Sequence, residues 1–316
     1  MTHFRPVLLF LAAFPLLVAA QQHSLCQKRV LLVNVVDAHG QQVSGLTGEQ
    51  FRANLQGQPV KVMSAKFGAG PQRILILIDV SGSMWTDRQQ WELVKLAVED
   101  VVSAGPGQAQ LALATFSNRF EANVPFGKGR EAVREAIQNL NPTSKSIPKR
   151  FGGTALNDAI LEAADMFGSP QPGDVIYAIT DGLDNESKNT TGKLLQYLGQ
   201  RSIRLFATVI HNNRFMQFSE GPDGPELLGK TAKETGGYYT ILEMDRSGNL
   251  ALNASTNTVR PLYGLMSSFY LLDIELPKEP DKPRELKLAV VDTNGDKKKG
   301  TMVLYPRNIF PCAAAN

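Results

Sequence analysis

Residues 73–85 read Arg-Ile-Leu-Ile-Leu-Ile-Asp-Val-Ser-Gly-Ser-Met-Trp. Ile74 to Ile78 form an unbroken apolar run that stops at Asp79. A run this short, continuous and rich in isoleucine reads as a strand buried on both faces, as in a parallel sheet. Asp79-Val80-Ser81-Gly82-Ser83 then sets one carboxylate and two hydroxyls just past the carboxyl end of that strand. Open α/β sheets bind their ligands along that edge. Oxygen donors without Cys or His suit a hard divalent cation, Mg²⁺ or Mn²⁺.

Two later stretches repeat the arrangement. Gly152-Gly153-Thr154 opens a helical pattern, which puts Thr154 where an N-cap hydroxyl belongs. Val175 to Thr180 is a second buried run, ending in Asp181-Gly182. The order D-x-S-x-S, G-G-T, T-D-G, each at a strand-to-loop junction, resembles the metal-ion-dependent adhesion site of von Willebrand factor A domains. The resemblance covers about residues 72–265. It implies a doubly wound, mostly parallel six-stranded sheet flanked by helices. It also implies that Ser81 and Ser83 touch the cation directly and that Thr154 does so directly or through water. Asp79 and Asp181 then act largely through waters. With few carboxylates bound directly, the cation keeps its pull on an Asp or Glu presented by a partner protein. Gly82 is read as a tight turn, and Gly152-Gly153 as room for the Thr154 loop.

Several residues fall on the rim of that edge. Lys145, Lys149 and Arg150 precede Thr154 and offer attraction for an acidic ligand, or simply a solvated basic loop. Trp85 is an interface anchor or a residue packed on its own loop. His211 follows a buried strand at the same edge, where a structural role is favoured over a binding one.

The 316 residues carry a net charge of +3, too little to argue for nucleic acid or an anionic membrane as partner. The first twenty residues read as a secretory signal. Arg5 gives the positive start, Pro6 to Ala20 the apolar run, and Val18-Ala19-Ala20 the small residues for cleavage. That run is shorter than the roughly 20 residues a spanning helix needs. The two cysteines, Cys26 and Cys312, lie near the ends of the mature chain, and an even pair in an exported protein points to a disulfide.

The flanks of the middle region are β-rich. Arg29 to Val36, Arg52 to Leu55 and Val60 to Phe67 read as strands with glycine turns, and Thr47 as the cap of one short helical turn. Tyr270, Leu272, Ile274 and Leu276 alternate along one face, as do Leu286, Leu288 and Val290. About forty residues cannot close a core alone. The expectation is one small, sandwich-like all-β domain made from residues 26–70 and 267–312, with the α/β domain inserted between. This layout resembles the bacterial secreted "VWFA-related" proteins known from acidobacteria.

Within the middle region, Asp87 to Ser103, Arg130 to Leu140, Thr191 to Gln200 and Pro225 to Thr235 read as helices. Asn249 to Ser268 reads as a further helix that Pro261 must kink or divide. Phe120 to Pro125 reads as an edge strand. Asp292 to Asp296 begins like a calcium loop, but Lys297, Lys298 and Lys299 replace the glycine and oxygen ligands, so it reads as a hairpin turn.

A Ser-His-Asp hydrolase is disfavoured because His211 is the single histidine near the site, and no G-x-x-x-x-G-K-[ST] loop exists. Three functional readings follow. The first is an exported module that binds a protein through the cation, with no reaction implied. The second is a structural protein in which the metal is incidental. The third is a metal-dependent hydrolase, which needs a general base from Asp184, Glu186 or His211.

Overall fold

The computed structural model describes residues 26–70, 73–85, 88–104, 109–140, 153–212, 224–244 and 254–312. The chain opens with β1 (Lys28–Val36), β2 (Phe51–Leu55) and β3 (Gln58–Ala69). Its middle alternates β4 (Arg73–Asp79), α1 (Gly82–Trp85), α2 (Arg88–Ala104), β5 (Gln110–Phe116), β6 (Phe120–Val124), α3 (Arg130–Asn139) and α4 (Leu156–Asp165). It continues through β7 (Val175–Thr180), α5 (Thr191–Gln200), β8 (Arg204–Asn212), α6 (Pro225–Glu234), β9 (Tyr239–Met244) and α7 (Ala254–Ser267). β10 (Phe269–Glu275), β11 (Arg284–Val290), β12 (Met302–Leu304) and β13 (Asn308–Ile309) end it.

The middle strands form a six-stranded sheet in the order β6-β5-β4-β7-β8-β9. All pairs are parallel except β5 with β6, the antiparallel edge that ends before Pro125. Successive side chains of a strand point to opposite faces. Ile74, Ile76 and Ile78 therefore pack with Trp91, Val94 and Val98 of α2 and with Met266 of α7. Leu75 and Leu77 meet Ile160 and Ala163 of α4 and Leu194 of α5 on the other face. Both faces are covered, which is why the run carries no polar alternation. Burying each such side chain stabilises the fold by about 1.5–3 kcal/mol.

The flanking segments also fold together. They form one antiparallel seven-stranded sheet, β12-β1-β10-β3-β2-β11-β13, in which strands from the two ends of the chain interleave. The sheet curls so that Leu31 and Val33 of β1, Tyr270 and Leu272 of β10, and Leu286 of β11 share one core. The sandwich-like character thus comes from one curled sheet rather than from two stacked ones. Tyr270 fastens the β1–β2 connection from inside: its hydroxyl donates to the Val43 carbonyl at 2.9 Å and accepts from the Leu46 amide at 3.1 Å. Cys26 and Cys312 are disulfide-bonded, with Cα atoms 6.0 Å apart.

Three local readings change or sharpen. Helix α7 continues through Pro261 and is not divided. The short turn after Thr47 is a 3-10 helix, Gly48–Gln50, closed by the Gln50 side chain accepting from the Thr47 amide at 3.0 Å. Asp292 heads a hairpin turn in which its amide donates to the Asp296 carbonyl at 2.9 Å.

Candidate metal centre

Three loops converge at the carboxyl edge of the parallel sheet. The first leaves β4. Val80 donates its amide to the Phe116 carbonyl at 2.7 Å, tying the β4 exit to the β5 exit. The chain then turns at once into the single helical turn α1, of which Gly82 is the first residue. This turn brings the Ser81 and Ser83 hydroxyls within 3.1 Å of each other. Asp79 is fully buried. Its Oδ1 accepts the Ser81 amide at 2.8 Å and its Oδ2 accepts the Thr180 hydroxyl at 2.6 Å.

The second loop leaves β7. Asp181 accepts a hydrogen bond from the Ser83 hydroxyl and, through Oδ1, one from the Leu183 amide at 3.0 Å. Gly182 has φ +84°, and a Cβ there would meet the Pro225 Cα at 3.0 Å, so this position needs glycine twice over.

The third loop carries Thr154, which is buried. Thr154 is not the helix cap. Ala155 holds the N-cap of α4 and makes no side-chain cap, so the helix begins one residue later than its hydroxyl suggests. Instead, the β7 loop grips the Thr154 backbone. Asn185 Oδ1 accepts the Thr154 amide at 2.7 Å, and the Thr154 carbonyl accepts the amides of Asn185 at 2.9 Å and Glu186 at 3.1 Å. Glu186 Oε1 accepts the Gly153 amide at 3.0 Å. A Cβ on Gly153 would lie 2.2 Å from Asn185 Oδ1, so its glycine makes room for these two side chains.

Asp79, Ser81, Ser83 and Asp181 are therefore linked by direct contacts, and Thr154 is bound to the loop that carries Asp181. The two acids are electrostatically uneasy. Burial pushes the Asp79 carboxyl well above its usual range and the Asp181 charge pushes it further, while hydrogen bonds from Thr180 and Ser81 pull it back. Burial likewise raises Asp181, against the bonds from Ser83 and Leu183. A divalent cation among these oxygens would turn repulsion into attraction and favour both charged forms. The donor set, hydroxyl and carboxylate oxygen alone, fits such a hard ion.

The rim residues fare differently. Lys145, Lys149 and Arg150 lie outside the described residues, and so does the Asp87 end expected for α2. Trp85 closes α1. His211 sits on β8 in register with Glu243 of β9. Sequence reasoning missed Thr180 and Asn185 as the side chains that hold Asp79 and Thr154. The signal was present, because Thr180 opens the T-D-G motif and Asn185 follows it closely, but nothing local says what they reach. Of the candidate bases, Asp184 accepts the Asn157 and Ser187 amides at 3.2 Å each, and Glu186 is engaged with Gly153.

Residues 74–183 match the family model of the von Willebrand factor type A domain. No curated protein matches the chain. Among solved structures, proximal thread matrix protein 1 of the mussel byssus, with a zinc-occupied MIDAS motif, is 17% identical. The match covers 67% of this chain and 50% of the mussel protein, with a TM-score of 0.49, so this chain spans about half of it. A von Willebrand factor type A protein from Catenulispora acidiphila is 15% identical over 90% of this chain and 74% of its own, with a TM-score of 0.45. BatB from Bacteroides thetaiotaomicron is 18% identical over 61% of this chain and 98% of its own, also at 0.45. With its sheet order and its three converging loops, the middle of this chain has the von Willebrand factor type A fold, and residues 74–183, which include Asp79, Ser81, Ser83, Thr154 and Asp181, carry the family match.

Proposed function

We propose that this chain is an exported module that binds a protein partner through one divalent cation. Ser81, Ser83 and Thr154 supply hydroxyl ligands, and Asp79 and Asp181 stand behind them. The cation supplies Lewis acidity toward an Asp or Glu of the partner. The observation that carries the reading is the fully buried Asp79 beside the half-buried Asp181: burial raises both, Asp181 further repels Asp79, and among the described residues no opposite charge acts on either. Holding two acids together out of water is costly unless a cation joins them.

No reaction is part of the proposal. Asp184 and Glu186 are occupied with loop amides, which suits a rigid docking face better than proton transfer. The terminal disulfide and the N-terminal leader pattern support export, and the interleaved strands support reading residues 26–70 and 267–312 as one domain around residues 72–265.

The test is calorimetric titration of Mg²⁺ and Mn²⁺ into the full chain and its Asp181→Ala variant. Zn²⁺, the ion named for the mussel protein, belongs in the same series. One saturable site, lost in the variant, is expected. Equal heats from both proteins would sink the reading.

A further inference from the structure

A cavity lies at the other end of the sheet from the metal loops. It measures about 270 Å³ and opens where β1 passes the C-terminal turn of α5 and the start of β8. Ile203 at its wall lies six positions before Val209, which pairs with Thr180 beside the metal loops. At about 3.3 Å per residue this separates the two sites by roughly 20 Å.

Three features of the cavity belong together. Its floor is apolar, with Leu198, Ile203, Ile309 and Phe310 among its walls. One wall is a strand edge: among the described residues, Arg29 to Leu32 pair with β10 alone, and β12 pairs only with Asn34 to Val36 further along β1. Val30 on that edge is 43% exposed. The third feature is Arg29. Among the described residues its Nη2 is buried without a hydrogen-bond partner, and its Nη1 donates to the neighbouring Lys28 carbonyl at 3.4 Å. Glu279 attracts this guanidinium through space, and Glu234 also lines the cavity, so it is not uniformly basic.

A free strand edge offers backbone hydrogen bonds to an extended peptide, and pockets beside it take alternate side chains. A guanidinium whose Nη2 lacks a hydrogen-bond partner suits a carboxylate, which such a fork holds through two parallel bonds. We propose that this groove binds the C-terminus of a partner protein. The last residues would add to the β1 edge, an apolar final side chain would fill the cavity, and the terminal carboxylate would meet Arg29.

The experiment measures fluorescence anisotropy of a labelled hexapeptide pool against the full chain in EDTA, which removes the metal site from the readout. The pool is randomised at five positions and ends in Leu, Ile, Val or Phe with a free carboxyl group. Saturable binding is expected, at least tenfold weaker for the C-terminally amidated pool and for Arg29→Met. Val30→Trp should block the groove without touching the buried core, and a melting curve of each variant separates lost binding from lost fold. Absence of saturable binding to the wild-type chain would overturn the proposal. So would equal affinity for acid and amide, or undiminished binding by a folded Arg29→Met. Octanoate competing as well as the peptides, mole for mole, would overturn the role of the strand edge.

Discussion

Arg204 Nη1 donates a 3.0 Å hydrogen bond to Asn34 Oδ1, across 170 residues of sequence and between the two sheets. Both side chains are buried. Asn34 Nδ2 in turn donates to the carbonyls of Leu265 at 3.1 Å and Ser268 at 2.7 Å, at the C-terminal end of α7. Arg204 Nη2 reaches the Met266 carbonyl at 3.3 Å, and the guanidinium lies 4.2 Å from the centre of the Phe269 ring. Burial pushes Arg204 down to about 9, so it remains charged at neutral pH and leans on this small set of acceptors. The negative end of the α7 dipole adds to them.

Removing one partner of a buried charge costs more than removing the charge itself. Asn34→Leu should therefore destabilise the chain by about 2–4 kcal/mol, because a cation and two carbonyls lose partners together. Arg204→Met, which keeps volume and deletes the charge, should cost less. Urea unfolding of both variants checks the order, and the reverse order would contradict this account of the junction.

Metal should stabilise the wild-type chain and not Asp79→Asn. A ligand at a hundred times its dissociation constant adds about 2.7 kcal/mol to folding stability. Without metal, Asp79→Asn should be as stable as wild type or more so, since it ends the repulsion from Asp181. Thermal melts with Mg²⁺ and with chelator make the comparison. A metal-dependent shift in Asp79→Asn equal to that of wild type would remove Asp79 from the site.

Asn185→Ala should weaken metal binding about tenfold while sparing the fold, because it releases the amide of Thr154. Gly153→Ala should do the same by another route, since its Cβ would collide with Asn185 Oδ1 and the Glu186 side chain. Calorimetry on the two variants tests whether the loop after β7 sets the position of Thr154. Unchanged affinity in both would show that it does not.

Reduction of the Cys26–Cys312 bond should cost about 2–5 kcal/mol, as it closes a loop spanning nearly the whole chain. The loss should concentrate in the curled sheet, where the strands from the two ends interleave. Hydrogen exchange of the Cys26→Ser, Cys312→Ser double variant should rise in β1, β10 and β11 before it rises in β4 or β7. Uniform loss of protection would contradict this.

Much of the site was legible because its pieces are local. The apolar run before Asp79 states a strand buried on both faces, and Asp79, Ser81 and Ser83 follow within one loop. The alternation of Tyr270, Leu272 and Ile274 likewise fixed the inward face of β10. The cap of α4 was read one residue early, at Thr154, because a hydroxyl before a helical pattern is also the signature of an N-cap. In the fold, the amide of Thr154 is bonded to Asn185 instead.

By itself the sequence determined the periodicities, hence the buried strands and helices of an α/β body, the β-rich flanks and the three loops rich in oxygen donors. These follow from interactions among near neighbours along the chain. Only the tertiary structure decided that the flanks form one curled sheet, that Thr180 and Asn185 hold Asp79 and Thr154, and that Arg204 meets Asn34. Each of these joins residues far apart in sequence. Such pairings are chosen by which buried polar groups can satisfy one another once the chain is compact, and no local pattern encodes that choice.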